Sequence, residues 1–430
     1  MVAQVHILHP HSPPIGGFLR VGHTGHRKLE AVHAAGRFPY RRLVFDASHI
    51  AEQHELLKVM RVSGCELVLD PNFAEMAMSG RFESAVSKLP WANPERPWQP
   101  TDFSPGRNLD VAKLIADFAV KQGVNVVLAP THLVEPETAP WRSIDLHMCE
   151  ALRHELDQSG GRNIAIDYQL ITTNAVLRDE QGRSELIDGI DSLPIDNVWL
   201  RISGFGATAT GVGTRHFIEA VRVIHQIDRP LIADGVGGLA GLATIAFGAV
   251  GGISHGVGQK ESFDASDWKK PSTGAGGGTA TRIYVHELDR YFTEDQLNAI
   301  FAAKGGRSRF GCNDANCCHH GTEDMIENAH IHFITQRSRQ IEDLSRVPEL
   351  RRGEHFLLRH VDPAVRSARL GNLLRIEDEK VAKAISDAKA RLVRLRDALA
   401  DLQAREDAAS RSRTPVFRGG VPSINAALGQ

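Results

Sequence analysis

The chain has 430 residues, of which 42% are hydrophobic, and a formal net charge of −2 at pH 7. Its length and apolar content suffice for one large core or two ordinary ones, and the near-neutral charge excludes a global preference for anionic partners. A nucleic-acid site would have to be a local patch built from basic residues such as Arg201, Arg215, Lys260, Lys269, Lys270, Arg282, Arg307 and Arg309. No apolar run could span a bilayer and the N-terminus lacks signal-peptide character, so we expect a cytoplasmic protein.

Short runs rich in Val, Ile and Leu alternate with helical patterns, which is typical of βα units. The predicted strands cover residues 5–8, 42–45, 66–69, 124–128, 163–166, 198–202, 230–233 and 250–253. Eight such strands predict an α/β fold of the (β/α)8 TIM-barrel type over residues 1–273, whose functional residues gather at the C-terminal strand ends. A doubly wound open sheet is the alternative.

Ionisable side chains follow several of these strands directly. Asp46, Asp70 and Asp234 come after the second, third and seventh predicted strands, and His255 comes after the eighth. Acids that share one barrel mouth raise one another's pKa, which suits nucleophilic or acid/base chemistry. Each aspartate taken alone could instead be a helix N-cap.

Two glycine-rich segments, 235–238 and 248–256, surround the ends of the last two predicted strands. Glycine lets a phosphate or a planar ring approach the backbone closely, although these glycines could serve only tight turns. Gln169 follows the fifth strand and can donate and accept at once, which suits reading of a purine edge. It could equally be an exposed loop residue.

A cysteine-rich loop lies beyond the predicted barrel, in a segment 274–350 that we interpret as a zinc-binding subdomain packed on the barrel. Three of the five cysteines, Cys312, Cys317 and Cys318, fall within seven residues. Thiolate and imidazole are the ligands that structural Zn²⁺ prefers, so the loop predicts a closed zinc site. The alternative is a set of free cysteines in a reducing compartment.

The fourth ligand is expected on the helix that follows this loop. His330 is four residues from both Ile326 and Ile334, which predicts that it lies on the buried face of that helix and that His332 points elsewhere. Other histidines that could complete the site are His332, His319 and His320.

The segment 351–407 is predicted to be helical, with a heptad seam in its second half. The spacing is 4-3-4-3-4-3 for Val381, Ile385, Ala388, Leu392, Leu395, Leu399 and Leu402. The helix at 377–405 could form a homodimer, bind a partner, or pack on its own barrel. Residues 408–430 mix Ser, Arg, Gly and Pro without periodicity, which predicts a disordered tail.

With barrel, metal loop and helix in this order, the chain resembles the tRNA-guanine transglycosylase superfamily, including its relatives that insert 7-deazaguanines into DNA. That family carries a Cys-x-Cys-x-x-Cys zinc loop completed by a histidine on the next helix. Here Cys312-x-Asp314-x-x-Cys317 keeps the spacing with aspartate in the middle place, Cys318 offers a replacement thiolate, and His330 matches the helix ligand.

The resemblance extends into the barrel and covers roughly residues 40 to 345. Leu69-Asp70-Pro-Asn-Phe73 looks like the family's Asp-Ser-Gly-Gly-Phe, and Tyr168-Gln169 resembles its Val-Gln-Gly-Gly turn. The run from Ser203 and Gly204 to Gly206 resembles Gly-Gly-Leu-Ala, and 235–237 resembles Gly-Val-Gly. The residues that the resemblance implies for base binding are Phe73, Gln169, Ser203 and Gly204.

Two acids of the family pattern are absent here. The nucleophilic aspartate of the eighth strand falls near Ser254-His255, and a base-contacting aspartate after the fourth strand meets Ala129-Pro-Thr131. The nucleophile would therefore be Asp70, Asp46 or Asp234, with His255 as a candidate proton shuttle.

The activity implied by the resemblance is base exchange by double displacement. A carboxylate attacks C1′ of a guanosine in a polynucleotide, with DNA slightly preferred over tRNA, and a 7-deazaguanine base then displaces the enzyme. Zinc would be structural. The alternatives are a catalytically inactive barrel that binds nucleic acid or a partner, and a barrel enzyme that binds a phosphate or a flavin.

Overall fold

The computed structural model describes residues 15–23, 25–82, 84–104, 110–258, 260–270, 281–405 and 413–420. Its centre is a closed barrel of parallel strands, which confirms the predicted TIM-barrel fold. The barrel strands are β1 Gly16–Arg20, β2 Arg42–Asp46, β3 Glu66–Asp70, β4 Val126–Leu128, β5 Ala165–Thr173, β6 Val198–Ser203, β7 Leu231–Asp234 and β8 Gly252–His255. Each strand pairs with the next, and β8 closes the ring by pairing with β1.

Seven barrel strands overlap the predicted ones, but the first does not. The predicted strand 5–8 lies outside the described residues, and the structure uses Gly16–Arg20 instead. The sequence signal there is weak because two glycines leave a short apolar run. Gly252 faces Gly16 across the pairing, where an added Cβ would lie 2.8 Å from the Gly16 carbonyl oxygen. Close backbone packing therefore favours glycine, at the expense of the periodic signal.

The barrel is wrapped by helices that pack their apolar faces on the strands. The principal helices between strands are His26–Ala34, His54–Val62, Val111–Gln122, Trp141–Gln158, Glu180–Ile187, Gly211–Val223 and Gly238–Ala246. Every residue of Gly238–Ala246 is buried, because later helices of the chain cover its outer side. The interior of the barrel has its own core, composed of Phe18, Val44, Val68, Val126, Leu128, Ala165, Trp199 and Ile232.

A second unit follows the barrel and begins with an antiparallel hairpin. Its strands are β9 Arg282–Val285 and β10 Arg290–Thr293. The elements that follow are the helices Glu294–Ala302, Gly306–Phe310, Thr322–Glu327, Ala329–Ser345 and Glu349–Phe356, a π-helix Leu357–Val361, and the helices Asp362–Gly371 and Glu379–Ala404.

Only one of the three predicted domain limits falls within the described residues. The limit at 273/274 and the limit at 407/408 both lie outside the described residues. The limit at 350/351 falls inside the helix Glu349–Phe356, so it does not separate two units.

A buried ion-pair network joins the barrel to the second unit. Arg337 is fully buried and lies 2.9 Å and 3.2 Å from the two carboxylate oxygens of Glu261, which follows β8. Asp289, in the turn of the hairpin, pairs with Arg391 at 3.0 Å and accepts a hydrogen bond from the Tyr284 hydroxyl at 2.8 Å. Because buried charges need partners, this network holds the hairpin and the two long helices in one position on the barrel.

The heptad seam packs within the chain. All seven seam residues are buried, and the helix Glu379–Ala404 lies against the helices Gly211–Val223 and Asp362–Gly371. The backbone approaches so closely that a Cβ on Gly211 would overlap the carbonyl group of Arg394. Of the predicted alternatives, the structure therefore shows packing on the chain's own barrel, and this face is not open to a second copy.

Part of the tail that was predicted to be disordered is ordered. Arg42 donates from Nη2 to the Pro415 carbonyl at 3.1 Å, and the Arg418 amide donates to Glu66 at 2.7 Å. Residues 413–420 thereby satisfy a buried Arg42–Glu66 pair at the N-terminal ends of β2 and β3, which periodicity cannot reveal. The remaining positions of 408–430 lie outside the described residues.

Within the described ranges, no helix is long and apolar enough to cross a membrane.

Leu392→Ala tests the packing of the heptad seam. Leu392 is fully buried, so its truncation should lower the free energy of unfolding by about 2–5 kcal/mol in a denaturant titration. Leu373→Ala is the matched control, because Leu373 is 76% exposed and its loss should change stability by less than about 0.5 kcal/mol. A changed particle mass in light scattering with unchanged stability would instead place the seam between chains.

Candidate functional site

Arg20, at the end of β1, organises the barrel mouth. Its guanidinium donates to both carboxylate oxygens of Asp234, at 2.8 Å from Nε and 2.6 Å from Nη2. Nη1 donates to Asp70 at 2.8 Å and to Asp46 at 3.2 Å. The structure therefore brings together the three aspartates predicted from strand ends, around a cation that the sequence analysis did not single out.

The register of the barrel strands explains why positive charge is required at the barrel mouth. Asp46 lies opposite Asp70 in the β2–β3 pairing, and Arg201 lies opposite Asp234 in the β6–β7 pairing. Arg201 is 3.4 Å from Asp70 and 3.7 Å from Asp234, and its guanidinium also stacks over the Phe263 ring at 4.9 Å. Two guanidiniums thus face three adjacent carboxylates, which offsets the repulsion among the acids.

The environments of the aspartates separate their proton affinities. Burial opposes ionisation of Asp234, but the charges of Arg20 and Arg201 outweigh it, so the pKa of Asp234 is lowered. Burial raises the pKa of Asp46, Arg20 opposes that effect, and the neighbouring Asp70 adds to it. Asp46 therefore holds a proton more readily than Asp234.

Only one of the three aspartates is accessible. The side chain of Asp46 is 23% exposed, against 3% for Asp70 and 0% for Asp234. Asp46 and Arg20 line a cavity of about 760 Å³ at the mouth, and the other two aspartates lie behind Arg20. A reagent in this cavity would meet Asp46 first.

A second accessible acid, Glu75, was missed by the sequence analysis. It lies on the short helix Phe73–Met76 after β3 and lines the same cavity. Its Oε1 is 3.4 Å from the side-chain Nδ2 of Asn72, and its Oε2 is 3.4 Å from Arg81 Nε. Burial raises the pKa of Glu75 to about 7, with Arg201 opposing and Asp46 adding to the shift. The only sequence signal was an acid five residues after Asp70.

The lining of the mouth also includes four further basic side chains. His23, His49, Arg81 and Lys260 all face the cavity, and the rings of His23 and His49 lie 4.3 Å apart. Such side chains suit an anionic group such as a phosphodiester. His23 and His49 also lie close enough to Glu52 for the three to hold a metal ion.

Of the predicted base-binding residues, Gln169 contacts one of the three aspartates. Gln169 is buried inside the barrel, with Nε2 3.4 Å from Asp70. The hydroxyl of Ser203 accepts a hydrogen bond from the Ala265 amide at 2.9 Å, and Gly204 follows it with a φ of +83°, a conformation that favours glycine. The described lining of the mouth cavity includes none of these three predicted residues.

Phe73 and His255 lie in the packed interior instead. Phe73 packs against His132 with ring centres 4.9 Å apart. His255 is fully buried, with Nε2 2.9 Å from the Tyr40 hydroxyl and Nδ1 2.9 Å from the Gly256 carbonyl oxygen, and burial lowers its pKa. Neither residue is among the described residues that line the mouth cavity, and His255 contacts Tyr40, Gly256 and Phe333 rather than the three aspartates.

The three cysteines of the predicted metal loop converge on a histidine. The ligand atoms of Cys312, Cys317, Cys318 and His332 all lie within 4.8 Å of one another, and all four residues are buried. Cys317 Sγ and Cys318 Sγ are each 3.4 Å from His332 Nδ1. The backbone carbonyl of Asp314 fixes the turn of the loop, because it accepts hydrogen bonds from the amides of Cys317 at 3.0 Å and Cys318 at 2.7 Å.

The histidine is oriented for ligation. His332 Nε2 lies 3.0 Å from the Tyr284 carbonyl oxygen of β9 and donates to it, which leaves Nδ1 free to face the sulfurs. Three thiols and one imidazole at this spacing could hold a metal ion.

The fourth residue of the cluster differs from the prediction, which chose His330. His330 lies outside the cluster, with Nδ1 3.2 Å from Lys28 Nζ. The prediction extended one helix back to Ile326, but Ile326 belongs to a preceding short helix and a separate helix begins at Ala329. The break resets the helical phase, so His332 takes the buried face.

Comparisons with known proteins identify no family. No protein-family model matches the chain, and no curated protein matches it. Solved structures similar to the chain include KGPDC from Streptococcus mutans, with 11% identity and a TM-score of 0.33 over 60% of this chain and 94% of that one. A GH26 β-mannanase from Bacteroides ovatus shares 11% identity with a TM-score of 0.38 over 61% and 89% of the two chains. At this level the likeness has no bearing on activity.

Paired histidine variants test the metal cluster. We expect the purified protein to carry metal, His332→Ala to lose it and unfold more readily, and His330→Ala to keep it, because only His332 faces the sulfurs. Metal analysis by mass spectrometry with thermal melts measures both effects, and Cys317→Ala should behave like His332→Ala. Metal retained by His332→Ala and lost by His330→Ala would reverse the assignment.

Proposed function

We propose that this protein is a nucleobase transglycosylase that exchanges guanine in a polynucleotide for a 7-deazaguanine. The observation that carries the proposal is the pair of accessible carboxylates, Asp46 and Glu75, at the mouth of a barrel with basic lining. Two carboxylates with different proton affinities are what substitution at an anomeric carbon needs. The resemblance of the strand ends to the transglycosylase superfamily supplies the substrate class.

Asp46 is the proposed nucleophile. It is the exposed member of the trio, and its one contact with Arg20, at 3.2 Å, is longer than the two that Asp234 makes. Asp70 and Asp234 instead position Arg20, whose charge favours the ionised form of Asp46. In the first step an Asp46 oxygen bonds to C1′ as the bond from C1′ to the base nitrogen breaks.

Glu75 is the proposed proton donor and acceptor. With a pKa of about 7 it is partly protonated at neutral pH, so it can give a proton to the departing guanine, which takes the electrons of the broken bond. In the second step Glu75 receives a proton from the incoming base, which attacks C1′ and breaks its bond to Asp46. The proton and the carboxylate are then both restored.

The polynucleotide would lie across the basic mouth. Arg81, Lys260, His23 and His49 line the cavity and would contact phosphates beside a base turned into it. That base must leave its stack to react. We propose DNA as the preferred polymer and tRNA as the alternative, and we place the protein in the cytoplasm.

Zinc is the proposed occupant of the cluster formed by Cys312, Cys317, Cys318 and His332. Three thiolates and one imidazole are a typical structural donor set, and together they supply the four ligands of a tetrahedral ion. The ion would join the cysteine loop to the helix Ala329–Ser345 and, through Tyr284, to the hairpin.

A catalytically inactive barrel that binds a polynucleotide is the second candidate. It is favoured by Arg20, which already pairs with Asp234 and Asp70, and by the interior positions of Phe73 and His255. Such a protein would bind the polymer through the same basic lining without exchanging a base.

Asp46→Asn tests the exchange chemistry. Radiolabelled guanine should enter DNA or bulk tRNA with the wild-type protein and fall to background with Asp46→Asn, because an amide is a poor nucleophile. Asp267→Asn is the matched control: this aspartate also lines the cavity but is paired with Lys270 at 3.0 Å, and its loss should leave incorporation unchanged. Polymer binding without incorporation by the wild-type protein would favour the inactive barrel.

Glu75→Gln tests the proton transfer. Guanine release needs protonated Glu75, whose pKa is about 7, so the single-turnover rate should fall as pH rises through that value. The variant should be slower by about 10²–10⁴-fold at neutral pH and should lose this fall. The same alkaline fall in Glu75→Gln would assign the step to another group.

A further inference from the structure

A third group of metal-ligating side chains lies away from the barrel mouth and from the cysteine cluster. Asp343 is near the end of the helix Ala329–Ser345, and its Oδ2 is 2.6 Å from His355 Nε2 and 2.8 Å from His360 Nε2. One ligand atom from each of the three residues lies within 4.8 Å of the others. Nothing in the proposed base exchange uses this group.

The backbone between the two histidines is arranged to bring them together. They are five residues apart, and in a regular α-helix that spacing would put them about 140° apart around the axis. The chain instead forms a π-helix over Leu357–Val361, whose wider turn returns nearly to the same face after five residues. π-helical turns are rare and are concentrated at functional sites.

The geometry also limits the freedom of the side chains. The ring of His360 packs on Phe356, with centres 5.6 Å apart and planes 30° apart, and its Nε2 points to Asp343. Each of the two imidazoles shares a proton with the same carboxylate oxygen of Asp343. A cation bound among these three atoms would replace those protons. Around an octahedral ion with ligand bonds near 2.1 Å, adjacent ligand atoms are about 3 Å apart, so only small shifts would be needed.

We infer that Asp343, His355 and His360 form a second metal site, for a divalent first-row transition ion. Two histidines and one carboxylate are a donor set that such ions favour, and the set leaves coordination positions open. The side chains of Asp343, His355 and His360 are 44%, 25% and 8% exposed, so water can fill those positions from one side. The site differs in this respect from the buried cysteine cluster.

The two sites are separate. His332 and Asp343 lie on the same helix, eleven residues apart, which corresponds to roughly 16 Å along its axis. One ion therefore cannot serve both, and their donor sets differ in the presence of sulfur. That difference makes them distinguishable by spectroscopy in one sample.

Titration of the metal-free full-length protein with Co²⁺ tests the inference. The cysteine cluster should give intense thiolate-to-cobalt charge-transfer absorption, and the proposed site should bind a further equivalent that adds only weak bands from nitrogen and oxygen ligation. His355→Gln and Asp343→Asn should each lose that further equivalent and keep the charge-transfer band. The retained band also reports that the shared helix is folded.

Two matched variants complete the test. Cys317→Ser should lose the charge-transfer band while the second equivalent still binds, and His54→Gln, at an exposed histidine, should bind as the wild type does. Wild-type protein that takes up only the thiolate-bound ion would overturn the inference. So would a second equivalent that survives in both His355→Gln and Asp343→Asn, because the ion would then lie elsewhere.

Discussion

The ion pairs of Arg20 are the interaction on which the barrel mouth depends. One guanidinium joins the end of β1 to carboxylates from β2, β3 and β7, and Arg201 adds a contact from β6. Three acids gathered at neighbouring strand ends would repel one another in a medium of low dielectric constant, and the two cations offset that repulsion. Removing either kind of partner would leave an uncompensated buried charge.

This arrangement also divides the acids by their exposure. Asp70 and Asp234 are enclosed behind Arg20, while Asp46 and Glu75 face the cavity. Burial raises the pKa of Glu75, whereas the bidentate contact with Arg20 outweighs burial at Asp234 and lowers its pKa. The two acids therefore differ in pKa although they belong to the same barrel mouth. A single site can therefore offer both a carboxylate and an acid at neutral pH.

The second unit is attached by the same physical principle. Arg337 with Glu261, and Arg391 with Asp289, are buried pairs that join the barrel, the hairpin and the long helices. They set the position of the helix Ala329–Ser345, which carries both His332 and Asp343. The cysteine cluster and the separate group of Asp343, His355 and His360 thus share a helix that is fixed on the barrel.

The sequence by itself determined the barrel, because buried parallel strands produce local apolar runs. Seven of the eight strands could be found in this way. It also determined the cysteine loop, the heptad face and the three strand-end aspartates, since each depends on short spacings. Only the tertiary structure decided that Arg20 meets Asp234, 214 residues away, that Glu75 faces the cavity, and that His332 replaces His330. These outcomes depend on strand register and on the phase of a helix after a break, and neither is encoded in the local pattern.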